Sequence, residues 1–332
     1  MNKISEQEKN WDAIIVGGGF AGLSAAIYLG RAMRTVLLID SGQSLALWEP
    51  DVQNYFGFPK GISGKQLLDL GREQAMKYET EFVSDEISDA IHEGEQIVLR
   101  GKKQSYHAKR VLLATGVLHI PPDIPHVNEC LGHSMFFCKD CDGYRNLEKQ
   151  IVIVGKNNDA VEYALGMLCY ASCVSIATNG ENSTWDKQHD QWISEYNIPV
   201  YHARITDVEQ EKGFLKSITF EDKHCVSMDA LFTTRGDIFH NKLGKAMGAE
   251  LDVDGQIIVD DHMKTSVPGL YAAGCVTPAN CQMIIAAGNG ATAAQSINRD
   301  LFEESLRHHT LRRFRAAQMA TEQTEPKVLS DR

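Results

Sequence analysis

The chain has no apolar run approaching the roughly 20 residues a helix needs to cross a bilayer, so no membrane partner is expected. Its opening, residues 1–12, is polar and acidic with no apolar core, so no secretory signal is expected and the cytoplasm is the expected location. Positive charge is short as well. A formal net charge of -11 argues against a broad nucleic-acid surface. Paired ligands at zinc spacing are missing. Cys169 with Cys173 and His308 with His309 come nearest, and neither spacing suits the metal. No metal site is expected, and Cys169 and Cys173 read as buried thiols near a helix-to-strand turn. Eight cysteines in 332 residues without a signal do not read as a disulfide scaffold; they read as reduced thiols or as redox groups.

What is present is length for two domains, with a hydrophobic share of 43% that is ample for their cores. Asp12 to Val16 reads as a buried parallel strand. Gly17-Gly18-Gly19-Phe20-Ala21-Gly22 follows, then a helix from Leu23 to Arg31, then a second apolar run from Thr35 to Ile39 that closes at Asp40. This βαβ pattern carries GxGxxG. Gly17 allows the tight turn, Gly19 lets the backbone approach a pyrophosphate, and Gly22 lets the helix pack on the strand. Asp40 stands where a carboxylate accepts hydrogen bonds from a ribose. Lys65 to Lys77 reads as a helix, and Tyr106 to Ala114 as a strand ending in Ala114-Thr115-Gly116. A link containing proline, Ile120 to Pro125, then crosses to another domain. A second βαβ pattern has its strand at Gln150–Val154, its turn at Gly155–Ala160, its helix from about Ala160 to Cys169 and its next strand at Cys173–Ala177. Residues 199–233 continue as strand-like segments, and a long helix runs from about Ile284 to beyond Leu301. The expected class is α/β, with two Rossmann-like three-layer nucleotide-binding domains, the second inserted into the first.

Between the two units lies Cys138-Lys139-Asp140-Cys141-Asp142-Gly143. Two thiols two residues apart can close a disulfide and reopen it. Exchange needs a thiolate to attack and a thiolate to leave, and a neighbouring proton relay assists both. Cys138, Cys141 and Asp142 are therefore the candidate catalytic residues, with Lys139 as a candidate thiolate stabiliser.

These landmarks, in this order, resemble the low-molecular-weight thioredoxin reductases over about residues 10–305. The resemblance rests on the first glycine turn, Gly57-Phe58-Pro59, Ala114-Thr115-Gly116, the CxxCDG and Gly269-Leu270-Tyr271-Ala272-Ala273-Gly274. It also rests on Gln282 ahead of Ala286-Ala287-Gly288. It implies FAD binding in a domain built from residues 1–118 and 246–305, an NADP-type domain with the redox-active CxxC over 119–245, and a tail over 306–332. It implies a homodimer whose partner is a thioredoxin-like protein. It also implies that Cys141 faces the flavin and Cys138 forms the mixed disulfide. The implied cofactor contacts are Gly17, Gly19, Phe20, Ala21, Gly22, Asp40, Asn54, Ala114, Thr115, Gly116, Gly274, Cys275, Gln282, Met283 and Ile284.

The sequence departs from the family pattern at four places. Asn157 replaces the middle glycine of the second turn, where its side chain crowds a pyrophosphate. Residues 177–182 hold no Arg or Lys for an adenosine 2′-phosphate and add Glu181. Together these make NADPH use doubtful, and the chain resembles the divergent branch of deeply rooted or ferredoxin-linked flavin thioredoxin reductases. The donor is not identified, with ferredoxin as a candidate. Cys275 stands where the family has a flavin-contacting aspartate, and reads as a buried thiol without redox chemistry. The chain also continues some 25 residues past the family's usual end. Leu306 to Met319 reads as a solvated helical extension, with His308, His309 or Phe314 as the alternative of a ring stacked on the flavin. The expected reaction passes electrons from FAD through Cys138–Cys141 to a thioredoxin-like protein. A dithiol oxidase that uses oxygen to close a small-molecule disulfide is one alternative. It typically follows its CxxC with His where this chain has Asp142. An NADPH-dependent thioredoxin-disulfide reductase is the other alternative, and a flavoprotein redox sensor is a non-enzymatic rival.

Overall fold

The computed structural model describes residues 9–234 and 236–311. Along the chain come β1 (Asn10–Val16), α1 (Phe20–Arg31), β2 (Val36–Asp40), α2 (Gly64–Met76), β3 (Glu81–Ser84), β4 (Ile87–Glu93), β5 (Gln96–Gly101) and β6 (Ser105–Leu113). Then follow β7 (Val117–His119), β8 (Met135–Phe136), α3 (Lys139–Asp142), β9 (Gln150–Val154), α4 (Asn158–Met167), β10 (Cys173–Ala177), α5 (Lys187–Glu195) and β11 (Val200–Tyr201). Last are β12 (Ile205–Glu211), β13 (Phe214–Phe220), β14 (Cys225–Ser227), β15 (Ala230–Thr233), β16 (Asp237–Phe239), α6 (Lys242–Ala246), β17 (Leu270–Ala272) and α7 (Met283–Arg307). They form two compact units. Among the described residues, one comprises 9–44, 68–116 and 240–311; the other comprises 45–67, 117–234 and 236–239.

In the first unit the strands run in the order β3-β2-β1-β6-β5-β4, and β17 joins β6. On its edge away from β1, strand β6 serves two partners: residues 105–108 pair antiparallel with β5, and residues 111–113 pair parallel with β17. Successive residues of β1 feed opposite faces, as the period of two requires. Ile14 and Val16 enter one core with Leu37, Ile39, Val111 and Ala272. Ala13 and Ile15 enter another with Leu23, Leu29, Leu38, Leu112 and Ile297. A strand buried on both faces has no place for alternating polar residues, which is why this segment reads as one apolar run. The long helix α7 buries Ala286, Gly290, Ala293, Ala294, Ile297 and Leu301, one stripe at helical spacing. Its small residues let it lie close on α1.

In the second unit the order is β11-β10-β9-β15-β8, all parallel. Again β9 splits its residues, with Val152 and Val154 on one side and Ile151 and Ile153 on the other. A β12-β13-β14 sheet and a β16–β7 pair complete it. The α/β class of the sequence reading is what the chain adopts. One local expectation is corrected. Cys169 and Cys173 are exposed, because one follows the end of α4 and the other opens β10 where the strand emerges. Helix α7 closes at Arg307, and of the expected extension over 306–319 the residues from 312 onward lie outside the described residues.

Candidate active site

In the second unit, strand β8 delivers the chain through Phe137 to Cys138, which is extended (φ -129°, ψ 112°) and caps the single turn α3. The turn closes with Asp142 N–H on the Cys138 carbonyl at 3.1 Å and Gly143 N–H on the Lys139 carbonyl at 2.8 Å. Winding the CxxC this way brings the Cys141 N–H to Cys138 Sγ at 3.2 Å, a contact that favours negative charge on that sulfur. Both cysteines are half-buried. Gly143 is required by space: a Cβ there would stand 2.6 Å from the Lys139 carbonyl oxygen and 2.9 Å from the Tyr170 ring. Lys139 donates to Asp140 at 2.7 Å, and that bond raises its pKa before the charge of Cys138 does. Its charge is thus shared with Asp140 rather than committed to a thiolate.

Asp142 is only 4% exposed. Burial first, then the charge of Glu49, push its carboxyl up to about 7, against the opposing pull of Arg145. Arg145 Nη1 donates to Asp142 Oδ1 at 3.1 Å, its Nη2 donates to the Gly132 carbonyl at 2.7 Å, and its guanidinium stacks over Phe136. Asn146 Nδ2 donates to the Asp142 backbone carbonyl at 2.8 Å. Asp142 is thus held in one orientation while its charge is disfavoured, which equips it to carry a proton near neutral pH. Glu49, in the segment 45–67 of the same unit, is itself raised by burial, with Arg145 and His119 pulling it down. His119 Nδ1 lies 2.5 Å from Asp237 Oδ1, and the ring stacks on Phe137 at 4.8 Å. Tyr163 donates to the Phe137 carbonyl at 3.1 Å, and burial plus the two nearby cysteines push its phenol to about 12. Sequence reading missed Glu49, His119, Arg145, Tyr163 and Asp237. Only Arg145, three residues after Asp142, left a local signal of i,i+3 pairing.

The first unit gathers most of the proposed cofactor contacts at the carboxyl ends of its strands. Gly17 turns at φ +112°, and a Cβ there would sit 2.2 Å from the Ala114 carbonyl oxygen. A Cβ on Gly22 would sit 1.9 Å from the Gly17 carbonyl oxygen, so only glycine lets α1 begin so close to the turn. Gly18 N–H donates to Asp40 Oδ1 at 3.1 Å. Gly19 caps α1 without a side-chain hydrogen bond, and no acid occupies the first turn of Phe20, Ala21 and Gly22. That end is suited to a pyrophosphate. Ala114 N–H bonds the Val16 carbonyl at 2.8 Å and Ala273 N–H the Leu113 carbonyl at 3.0 Å. Gly274 (φ +79°) then passes so near α1 that a Cβ would be 3.1 Å from the Ala21 Cβ. Thr115 and Gly116 adjoin His240, through the Thr115 hydroxyl at 2.7 Å and the Gly116 carbonyl at 3.1 Å. Gln282 caps α7, which Met283 and Ile284 open. Asn54 lies in the segment 45–67, which belongs to the other unit. Glycines a Cβ would clash with, an acid-free helix end and Asp40 form a cradle that fits a dinucleotide.

The corresponding end of α4 is different. Asn157 caps it with no side-chain bond to the helix backbone, and its Nδ2 donates instead to the Asp159 carboxylate at 2.8 Å within the first turn. Asn158 Nδ2 donates to Asp186 at 3.0 Å, and Lys156 pairs with Glu181. Two carboxylates, Asp159 and Asp186, and the Lys156–Glu181 pair thus stand around this helix end.

Cys275 is a further correction. It is bonded to Cys281, with the Cα atoms 4.9 Å apart, and is half-buried rather than a buried single thiol. Sequence reading passed over Cys281, although two cysteines separated by a turn were a signal for it. His308 caps the far end of α7 and His309 follows it, both exposed. A helix of 25 residues sets them about 37 Å from Gln282 along its axis. Phe314 lies outside the described residues. Among those residues no cluster of His, Cys, Asp and Glu could hold a metal ion.

A family model described as pyridine nucleotide-disulphide oxidoreductase matches residues 11–317. The thioredoxin reductase of Treponema pallidum is 30% identical over 304 residues, covering 87% of this chain and 96% of its own. That of Bacillus subtilis is 29% identical over 302 residues, covering 88% and 95%. A solved structure titled as HlmI aligns with a TM-score of 0.85 at 28% identity, covering 97% of this chain and all of that one. With both units and the CxxC turn inside the matched span, the chain belongs to the pyridine nucleotide-disulphide oxidoreductase family and is a thioredoxin reductase-like flavin disulfide oxidoreductase.

Proposed function

We propose that this enzyme reduces the disulfide of a thioredoxin-like protein through Cys138 and Cys141, with FAD as cofactor and without NADPH as its donor. The observation that carries the reading is the CxxC turn with a buried Asp142 whose carboxyl is pushed up to about 7 by burial. FAD would be held by Gly17, Gly19, Phe20, Ala21, Gly22, Asp40, Ala114, Thr115, Gly116, Gly274, Gln282, Met283 and Ile284, and when bound it supplies the electron pair that opens the Cys138–Cys141 disulfide. Cys138, as thiolate, attacks the partner disulfide. One partner sulfur leaves and takes a proton from Asp142. Cys141, losing its proton to Asp142, then attacks Cys138 Sγ, and the second partner sulfur leaves as thiolate and takes a proton from water as the Cys138–Cys141 disulfide closes. Arg145 and Asn146 keep Asp142 oriented through both steps.

The absence of NADPH is supported by the contrast between the two helix ends. The N-terminus of α1 has no acid in its first turn, whereas α4 carries Asp159 in its first turn and is flanked by Asp186 and by the Lys156–Glu181 pair. The donor is then another reductant, with ferredoxin as a candidate. A homodimer in the cytoplasm follows from the family resemblance alone. Anaerobic titration with NADPH should leave the flavin oxidised. Dithionite-reduced enzyme should produce thiols on a thioredoxin disulfide. Rapid flavin bleaching by NADPH would refute the missing donor site, and a thioredoxin left fully oxidised would refute the activity.

A further inference from the structure

We propose that Cys275–Cys281 is a second thiol–disulfide couple, separate from the CxxC, that exchanges with dithiols at Cys281. The bridge spans the connection between β17 and α7, with a sequence separation of 6. Its two residues differ in exposure: Cys281 is exposed and Cys275 half-buried. An incoming thiolate therefore meets Cys281 first.

The connection does not depend on the bridge for its shape. Thr277 donates twice to the Gly274 carbonyl, from its hydroxyl at 2.7 Å and its N–H at 2.9 Å. Gln256 Nε2 donates to the Thr277 carbonyl at 2.7 Å, and Ile257 N–H to the Val276 carbonyl at 2.8 Å. Opening the disulfide thus leaves the turn tied to its surroundings, so the reduced state is a folded state. A loop this short also gains less from cross-linking than a long one, because the entropy removed from the unfolded chain grows with loop length. Cys281 directly precedes Gln282, the N-cap of the 25-residue α7. A thiolate released there lies at the positive end of a long helix, which favours its departure and its return as nucleophile.

The exchange balances as follows. One thiolate of the dithiol attacks Cys281 Sγ. A bond forms between them, the Cys275–Cys281 bond breaks, and Cys275 leaves as thiolate and takes a proton from water. The second thiol of the dithiol, losing its proton, attacks its own sulfur in the mixed disulfide. Cys281 leaves and is protonated in turn. Two electrons and two protons pass to the chain, and the dithiol becomes a cyclic disulfide. Nothing in this requires the flavin or Cys138–Cys141, so its failure and the failure of the function proposed above are distinguishable.

The test uses the full-length flavoprotein carrying C138S/C141S. It is equilibrated under native conditions with reduced or oxidised dithiothreitol, alkylated, and peptide-mapped. In oxidised buffer Cys275 and Cys281 should be linked and unalkylated. In reduced buffer both should be alkylated, and return to oxidised buffer should restore the link. In a C275S variant, Cys281 should form a mixed disulfide with glutathione disulfide faster than Cys275 does in C281S. Alkylation of both cysteines in oxidised buffer would overturn the proposal. So would a bridge that survives native dithiol and opens only in denaturant, which is a static staple, or a Cys275 that reacts faster than Cys281.

Discussion

Asp142 is held between opposing influences, and each can be removed singly. Burial and Glu49 disfavour its charge, while Arg145 favours it. The rate of thiol formation on the partner should fall as pH rises through about 7, because the protonated carboxyl is then lost. In D142N that inflection should vanish, with the rate lowered by about 100- to 10,000-fold. R145Q should move the inflection to higher pH and E49Q to lower pH, both read by rapid-quench thiol counting. Shifts in the opposite directions would remove Asp142 from the role. Stability follows the same sign. Because the folded value lies above the ordinary 3.8, the folded chain keeps a proton the unfolded chain gives up, and this contribution fades as pH rises through about 7. D142N should therefore gain denaturant resistance over the parent at pH 8 more than at pH 4.

At the scale of elements, the crossing of α1 and α7 sets how tightly the cradle closes. A Cβ on Gly290 would stand 2.0 Å from the Ala21 carbonyl oxygen, whereas one on Gly288 would meet nothing within 4 Å. Gly290→Ala should cost about 1–3 kcal/mol in thermal unfolding and weaken flavin retention. Gly288→Ala should leave retention intact and add up to about 1 kcal/mol of helix propensity. Equal effects of the two would mean that the helices do not pack this closely. The β1-α1-β2 and β9-α4-β10 units were legible in sequence because strands buried on both faces and glycine turns write themselves locally. So was α7, whose buried stripe repeats at helical spacing. The surroundings of the CxxC were not. Glu49, His119, Tyr163 and Asp237 reach it from distant segments, and nothing local at those positions marks the convergence. Cys281 was missed for a related reason: pairing depends on the 4.9 Å between Cα atoms, which spacing alone does not determine.

For the whole molecule, two units each carry two buried clusters of their own. Scanning calorimetry should resolve two transitions, and added FAD should raise only the one belonging to the unit that holds the α1 cradle. At 100 times its dissociation constant the gain should be about 2.7 kcal/mol. A single transition that moves as one with FAD would contradict this independence. The bonds joining Thr115 and Gly116 to His240 have a further consequence. They bring together, inside the first unit, the two points where the chain leaves it at 116 and returns at 240. To that unit, everything between is a closed loop whose closure entropy grows only logarithmically. Doubling its length would cost about 0.6 kcal/mol. The size of the inserted segment is then nearly neutral for the fold that hosts it, and a replacement of quite different length could be grafted there so long as the junction at His240 is kept and the segment 45–67, which belongs to the inserted unit, is replaced with it.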